Sequence, residues 1–308
     1  MHPNLPDQAH TKLGLGTVQL GLKYGIRQHD QKPPSLKTCH EIVTQALNSG
    51  ITTLDTAFEY GHSEVTLGSV PATRQFPKII TKTPKFRSGT LFQSTAKLLK
   101  QAYAISLETL GLDSCYGLMI HDANNLKQPG GDYLADAMME LRAGGLVTKI
   151  GVSVYDPEET FDLFSKFDFN LVQIPFNIAD QRFLSSGSLE WLKSRAIEVH
   201  ARSAFLQGVL GMSARELPNG LDAFAQTLNE LQRRCSEFGY KAEAACLQFA
   251  IQSSNIDSVV VGVNTLDQLN QLVEWSNVPL PGDFDITPLP VLDPTLLNPS
   301  TWAQRINI

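Results

Sequence analysis

The feature that most constrains this chain is an alternation. Apolar runs of four to seven residues, each followed by a longer amphipathic stretch, recur from one end to the other with no Pro/Ser-rich linker between them. Runs this short and this apolar suit strands buried on both faces, the condition of a parallel sheet. Candidate strands cover residues 13–18, 52–55, 78–81, 115–120, 147–153, 171–174, 198–201 and 258–262. Helical patterns fill the intervals at 36–48, 63–69, 90–110, 131–142, 157–164, 189–195 and 242–253, and Asp156 before Pro157 reads as an N-cap followed by proline in the first turn. Eight βα units of this size predict an α/β fold, a (β/α)8 TIM barrel of about 250 residues with additions. An open doubly wound sheet is the alternative. The additions are helices at 221–238 and 266–275 and a tail from about residue 277, Pro-rich beyond Pro279. The chain is read as a single domain over residues 1–308.

A barrel places its chemistry at the C-terminal ends of its strands. There ITTLDTAFEYGHSE runs into Asp55 with Tyr60 five residues on, KIITKTPK ends its apolar run at Lys82, and YGLMIHD ends at His121. Together these residue types suit proton transfer by tyrosine. A phenol with an ordinary pKa of about 10 ionises near neutrality only beside a cation, which lysine supplies. An aspartate keeps the ammonium charged, and a histidine steers a carbonyl oxygen. Blander readings stand beside each: a half-buried tyrosine, a turn or capping aspartate, a solvated strand-end lysine with Lys85 as competitor. The pair His121-Asp122 alone does not make a metal site, and no metal is expected. His62 is placed at the site rim, and His2, His10, His29, His40 and His200 are read as surface or structural.

Composition removes other classes. A net charge of −6 without a Lys/Arg-dense tract argues against nucleic acid as partner. No run approaches the roughly 18 apolar residues of a spanning helix, and no leader-like h-region opens the chain, so neither membrane nor export is expected. Cys39, Cys115, Cys235 and Cys246 form no CxxC pair and read as small buried hydrophobes in a reducing, cytoplasmic compartment. GLGTVQ has Gln19 where a dinucleotide fingerprint needs its third glycine, and no GxSxG elbow appears.

From Lys12 to about Val273 the chain resembles the aldo-keto reductases, in order, through LGLGTVQLG, LDTAFEYGHSE, ITKT, MIHD, IGVSVY, VQIPFNIADQR, RSAFLQGVL and VVVGVNTLDQL. LGLGTVQxG and RSxFLQGxL resemble more narrowly a bacterial branch linked to sugar metabolism or to cofactor-binding regulation. The resemblance implies a barrel that binds NAD(H) or NADP(H) across its C-terminal face and moves hydride to or from a carbonyl carbon. Tyr60 would then be the general acid, Lys82 would lower its pKa, Asp55 would partner the lysine and His121 would orient the carbonyl. Cofactor contacts carried over are Gly16, Thr17, Val18, Asp55, Ser153, Gln173, Arg202, Ser203, Phe205, Leu206, Gln207, Gly208, Gly262, Asn264 and Gln268. Tyr24, Phe86, Tyr155 and Arg182 are candidates to line a substrate pocket for a small, polar, sugar-like carbonyl compound.

The chain departs from the family where Val154 replaces an asparagine and Arg202 an aromatic ring. Gly262, Asn264 and Gln268 also supply no cation for a 2′-phosphate, so strict NADPH selectivity is not expected and NAD(H) is an open alternative. These departures keep open a second reading, a nucleotide-binding sensor that acts through a protein partner. A metal-free isomerase or lyase is a third.

Overall fold

The computed structural model describes residues 11–26, 32–291 and 293–304. His2, His10, His29 and the end of the tail lie outside them. The strands are β1 (Leu13–Gly16), β2 (Thr53–Asp55), β3 (Lys78–Lys82), β4 (Cys115–Ile120), β5 (Val147–Ser153), β6 (Leu171–Pro175), β7 (Glu198–Arg202) and β8 (Ser258–Gly262). Each pairs in parallel with the next, and β8 returns to β1 with Leu13 opposite Val259 and Gly16 opposite Gly262. Closure overturns the open-sheet alternative, because an open sheet would leave two edge strands unpaired.

Strand alternation sorts side chains into a wall and a lumen. Leu13, Leu15, Leu54, Ile79, Val152, Val172, Val199 and Val259 face outward into one continuous core with the helices. The lumen is stacked in levels. Its middle is apolar, with Ile80, Met119 and Leu171 wholly buried. Its N-terminal end is polar: Glu198 accepts from Lys78 at 2.9 Å, Lys149 at 2.6 Å and Tyr116, and lies 2.9 Å from His200 Nε2. Its C-terminal end carries Asp55, Lys82, Gln173 and Arg202.

Helices Leu36–Asn48, Gln93–Leu110, Asp132–Ala143, Pro157–Lys166 and Ser188–Ser194 cover the barrel as the periodicity predicts, with ends shifted by a few residues at most. Asp156 and Glu159 form a reciprocal capping box around Pro157. The first strand is shorter than expected. It stops at Gly16 because Thr17 turns the chain, its amide and hydroxyl both donating to the Asp55 carbonyl. The added helix predicted at 221–238 is Ala225–Glu237 after a short 3-10 turn. The tail straps over it. Arg234 donates to the carbonyls of Asp285 and Thr287, and Trp302 packs edge-on against Phe224. All four cysteines are free and buried. No helix among the described residues is long and apolar enough to cross a membrane.

Candidate active site

Asp55, Lys82 and His121 end or follow adjacent strands, so the barrel brings them together without any long-range adjustment. Lys82 is 1% exposed and donates from Nζ to Asp55 Oδ1 at 2.6 Å and to the Thr56 carbonyl at 2.9 Å. The other carboxylate oxygen of Asp55 accepts Gln173 Nε2 at 2.8 Å from β6. The ammonium stays compatible with burial because both of its acceptors are rigid and one is charged.

Tyr60 follows β2 on a tight turn closed by its amide on the Ala57 carbonyl at 3.0 Å. Buried hydroxyls secure that turn. Ser63 donates to the Thr17 oxygen atoms at 2.8 and 3.0 Å and lies 3.1 Å from Thr56 Oγ1. The Tyr60 ring then lies with Lys82 Nζ 5.0 Å from its centroid and the His121 ring edge-on at 5.7 Å.

The electrostatics differ from the expectation drawn from sequence. Burial, and then the Asp55 carboxylate, raise the Tyr60 phenol above its ordinary value, while Arg202 pulls it down. Lys82 is not the dominant influence, because Asp55 balances its charge at contact distance. Burial lowers Lys82 itself, and Asp55 opposes that shift. His121 is pushed down to about 2 by burial and by the cations Lys82, Lys85 and Arg202, so its ring is neutral. Its Nδ1 is buried with no hydrogen-bond partner among the described residues. The site therefore holds a protonated phenol, a paired ammonium and a neutral imidazole with unused hydrogen-bonding capacity.

From Asp55 and Tyr60 a cleft of about 510 Å³ runs across the C-terminal face. Of the residues expected at the cofactor, Gly16, Thr17, Val18, Asp55, Gln173, Arg202, Ser203, Phe205, Gln207, Gly208, Gly262 and Gln268 line it. Ser153, Leu206 and Asn264 do not: Ser153 is buried at the end of β5, Leu206 lies in the core, and Asn264 gives its amide to Gln268 Oε1 at 2.7 Å. Of the substrate candidates only Tyr24 lines the cleft. Phe86 packs against the core with its amide on Asn125 Oδ1 at 3.0 Å. Tyr155 lies behind Arg202, whose guanidinium is 4.2 Å from its ring centroid. Arg182 does not line the cleft and is paired with Asp180 at 2.8 and 2.9 Å and with Asp156 at 2.6 Å. His62 is exposed and precedes the helix Ser63–Ser69.

Gln19, Gly25, Glu243, Asp267 and Trp275 also line the cleft. Sequence reading missed them because none ends a strand; Trp275 arrives from the far end of the helix Leu266–Ser276. A dinucleotide fits the residues present. Gln19 lines the cleft, and its Oε1 is buried with no hydrogen-bond partner among the described residues, an acceptor left over beside a cavity of ligand size. A Cβ on Gly262 would lie 1.9 Å from that same oxygen, so glycine there is what lets Gln19 enter the wall. Beyond it the loop after β7 is held in left-handed backbone at Ser203, Leu206 and Gln207, strain of a kind that collects at ligand sites.

The model for the aldo/keto reductase family matches residues 12–284. Pyridoxal 4-dehydrogenase of Microbacterium luteolum is 23% identical over 323 residues, covering 89% of this chain and 92% of that protein. D-threo-aldose 1-dehydrogenase of a Pseudomonas species is 24% identical over 305 residues, covering 87% and 90%. Among solved structures, the glycerol dehydrogenase of Gluconobacter oxydans superposes with a TM-score of 0.69 at 20% identity, over 96% of this chain and 97% of that one. That last likeness bears on the fold alone. Barrel, cleft and family match agree: the chain belongs to the aldo/keto reductase family, and with it to the NAD(P)(H)-dependent oxidoreductases.

Proposed function

We propose that this enzyme interconverts the carbonyl and hydroxyl forms of a small polar, sugar-like or aldehyde substrate, with Tyr60 as general acid and base. The observation that carries the reading is the buried Lys82–Asp55 pair at 2.6 Å beside the Tyr60 ring, at the head of a cleft that fits a dinucleotide. The nicotinamide ring, when bound, supplies or accepts the hydride. In the reductive direction Tyr60 holds the proton that the new alkoxide takes, and its raised pKa keeps that proton in place until charge develops on the substrate oxygen. Lys82 stabilises the phenolate left behind, and Asp55 with Gln173 fixes the ammonium. Neutral His121 offers a hydrogen bond to the carbonyl oxygen without competing for the proton.

The pyridoxal 4-dehydrogenase and the D-threo-aldose 1-dehydrogenase among the relatives support the substrate class. The absence of a cation at Gly262, Asn264 and Gln268, with acidic Asp267 in the cleft wall, favours NAD(H) over NADP(H). Calorimetry should give NADH a dissociation constant no weaker than that of NADPH. We read the chain as one functional domain, and its four free buried thiols favour the cytoplasm.

Tyr60→Phe tests the mechanism. It removes the proton donor and keeps the ring, so kcat/KM should fall by about 10²- to 10⁴-fold while NADH binding holds. Undiminished reduction of a sugar aldehyde by that variant would refute Tyr60 as the acid.

A further inference from the structure

Arg182 and Arg234, both packed into the fold, are neutralised by carboxylates. Arg202 is not. It stands at the end of β7 in the wall of the cleft that holds Tyr60. Its Nη2 donates to the Val154 carbonyl at 3.0 Å and its Nη1 reaches Ser203 Oγ at 3.4 Å, both neutral acceptors. No carboxylate pairs with it among the described residues. A guanidinium carries five N–H donors, so this one retains both donors and an uncompensated charge.

The head group is also fixed in place. It stacks on Tyr155 at 4.2 Å, and the Tyr155 carbonyl accepts Arg182 Nη2 at 3.2 Å. Arg182 in turn is clamped to Asp180 and Asp156. On the other side Asn177 Nδ2 holds the carbonyl of Ser203 at 3.1 Å, where the backbone takes a φ of 62°. Two acidic pairs and a strained residue are thus arranged behind a cation that faces open space.

Near Tyr60, Asp55 balances the Lys82 charge and His121 is neutral, and Asp55 and Arg202 are the charged groups that bear on the phenol. Lys85 adds a further positive charge towards His121. The acids of the cleft, Glu243 and Asp267, belong to the helices flanking β8 and do not figure at the phenol. Of these groups Arg202 is the cation in the cleft wall whose hydrogen bonds among the described residues all go to neutral acceptors.

We propose that Arg202 selects an anionic substrate, an aldehyde or ketone that carries a carboxylate within reach of the guanidinium when its carbonyl meets Tyr60. A planar fork matches a carboxylate with two parallel hydrogen bonds, which a neutral sugar cannot offer. The inference rests on the hydride-transfer reading above and deepens it.

The test uses 4-carboxybenzaldehyde and its methyl ester, aldehydes that differ in one charge, with NADH. For the native enzyme kcat/KM should favour the carboxylate by about tenfold or more, the worth of a charge-assisted contact. In Arg202→Gln the ratio should collapse towards one, and Arg202→Lys should retain part of it. Raising NaCl to about 1 M, where the Debye length is about 3 Å, should shrink the native preference. Equal kcat/KM for the two aldehydes in the native enzyme would overturn the proposal. So would a preference that survives in Arg202→Gln while NADH affinity drops, since that assigns the guanidinium to the phosphates of the dinucleotide.

A second measurement does not depend on turnover. Calorimetry of 4-carboxybenzaldehyde with the NAD+-loaded protein should show binding weakened about tenfold or more in Arg202→Gln. Equal affinities would sink the proposal. Failure to reduce either aldehyde, with the binding difference intact, would count against the hydride-transfer reading and leave the anion site standing.

Discussion

An ammonium group with 1% of its surface exposed survives only because two acceptors replace its water, and Lys82 shows how sharply that depends on one carboxylate. Asp55→Asn keeps the shape and removes the charge, so it should destabilise the protein by about 3–5 kcal/mol, read from urea unfolding. Adding Lys82→Met to that variant should recover most of the loss, because no buried charge then remains; a double variant no more stable than Asp55→Asn would show that the pair is not the source. His121 makes a different prediction. With its pKa pushed down to about 2, the folded imidazole is neutral at any working pH. The unfolded chain binds a proton below about 6.5, so the His121 contribution to stability is complete above that pH and declines below it. The kcat profile should accordingly carry no limb near pH 6.5 from this residue, and a titrating His121 ring signal at that pH in the folded protein would contradict the assignment. That Asp55, Lys82 and His121 would lie together was legible because each ends or follows an apolar run at a strand end. Gln19 and Trp275 were not, since their position in the wall comes from packing around β8 and leaves no local trace. The pairing of Arg182 was equally hidden: its partner Asp180 is only two residues away, but nothing in the sequence says that the two side chains turn towards one another.

At the scale of elements, strands were recovered to within a residue or two because their apolar runs are bounded by polar residues on both sides. Short turns were lost. The one-turn helix Asn124–Lys127 and the 3-10 segment Leu206–Gly211 have no periodicity of their own, and tertiary contacts impose them. Helix crossings are equally invisible until the backbones meet. At Gly68, in the helix Ser63–Ser69, an added Cβ would lie 1.9 Å from the Thr109 carbonyl oxygen in the helix Gln93–Leu110. Since the obstacle is backbone and not a movable side chain, Gly68→Ala should cost about 1–3 kcal/mol. Thermal or urea unfolding checks this, and an unchanged midpoint would mean that the two helices separate freely. The same helix begins at Ser63, which secures the Tyr60 turn, so the variant should also lower kcat more than it weakens nucleotide binding.

For the whole molecule, the closed sheet was legible as eight repeats, whereas the stacking inside it was not, because lumen residues from different strands meet only after closure. The polar level at the N-terminal end centres on Glu198. Burial raises its carboxyl, but hydrogen bonds from His200, Lys149, Tyr116 and Lys78 outweigh that and hold it well below the usual carboxylate range. A depressed folded pKa contributes stability above the unfolded value of about 4.3, and that contribution is lost as pH falls below it. Acid unfolding should therefore steepen below about pH 4.5 in the native protein and flatten in Glu198→Gln; identical pH profiles would remove Glu198 as a contributor. Between this level and the reacting one lie Ile80, Met119 and Leu171, wholly buried. That apolar disc works as an insulator. The ion pairs around Glu198 and the Asp55–Lys82 pair, to which we assign a role in the proton transfer, are wired as separate circuits. Tuning one by mutation, for tolerance of acid or for a new substrate, should leave the setting of the other where it was.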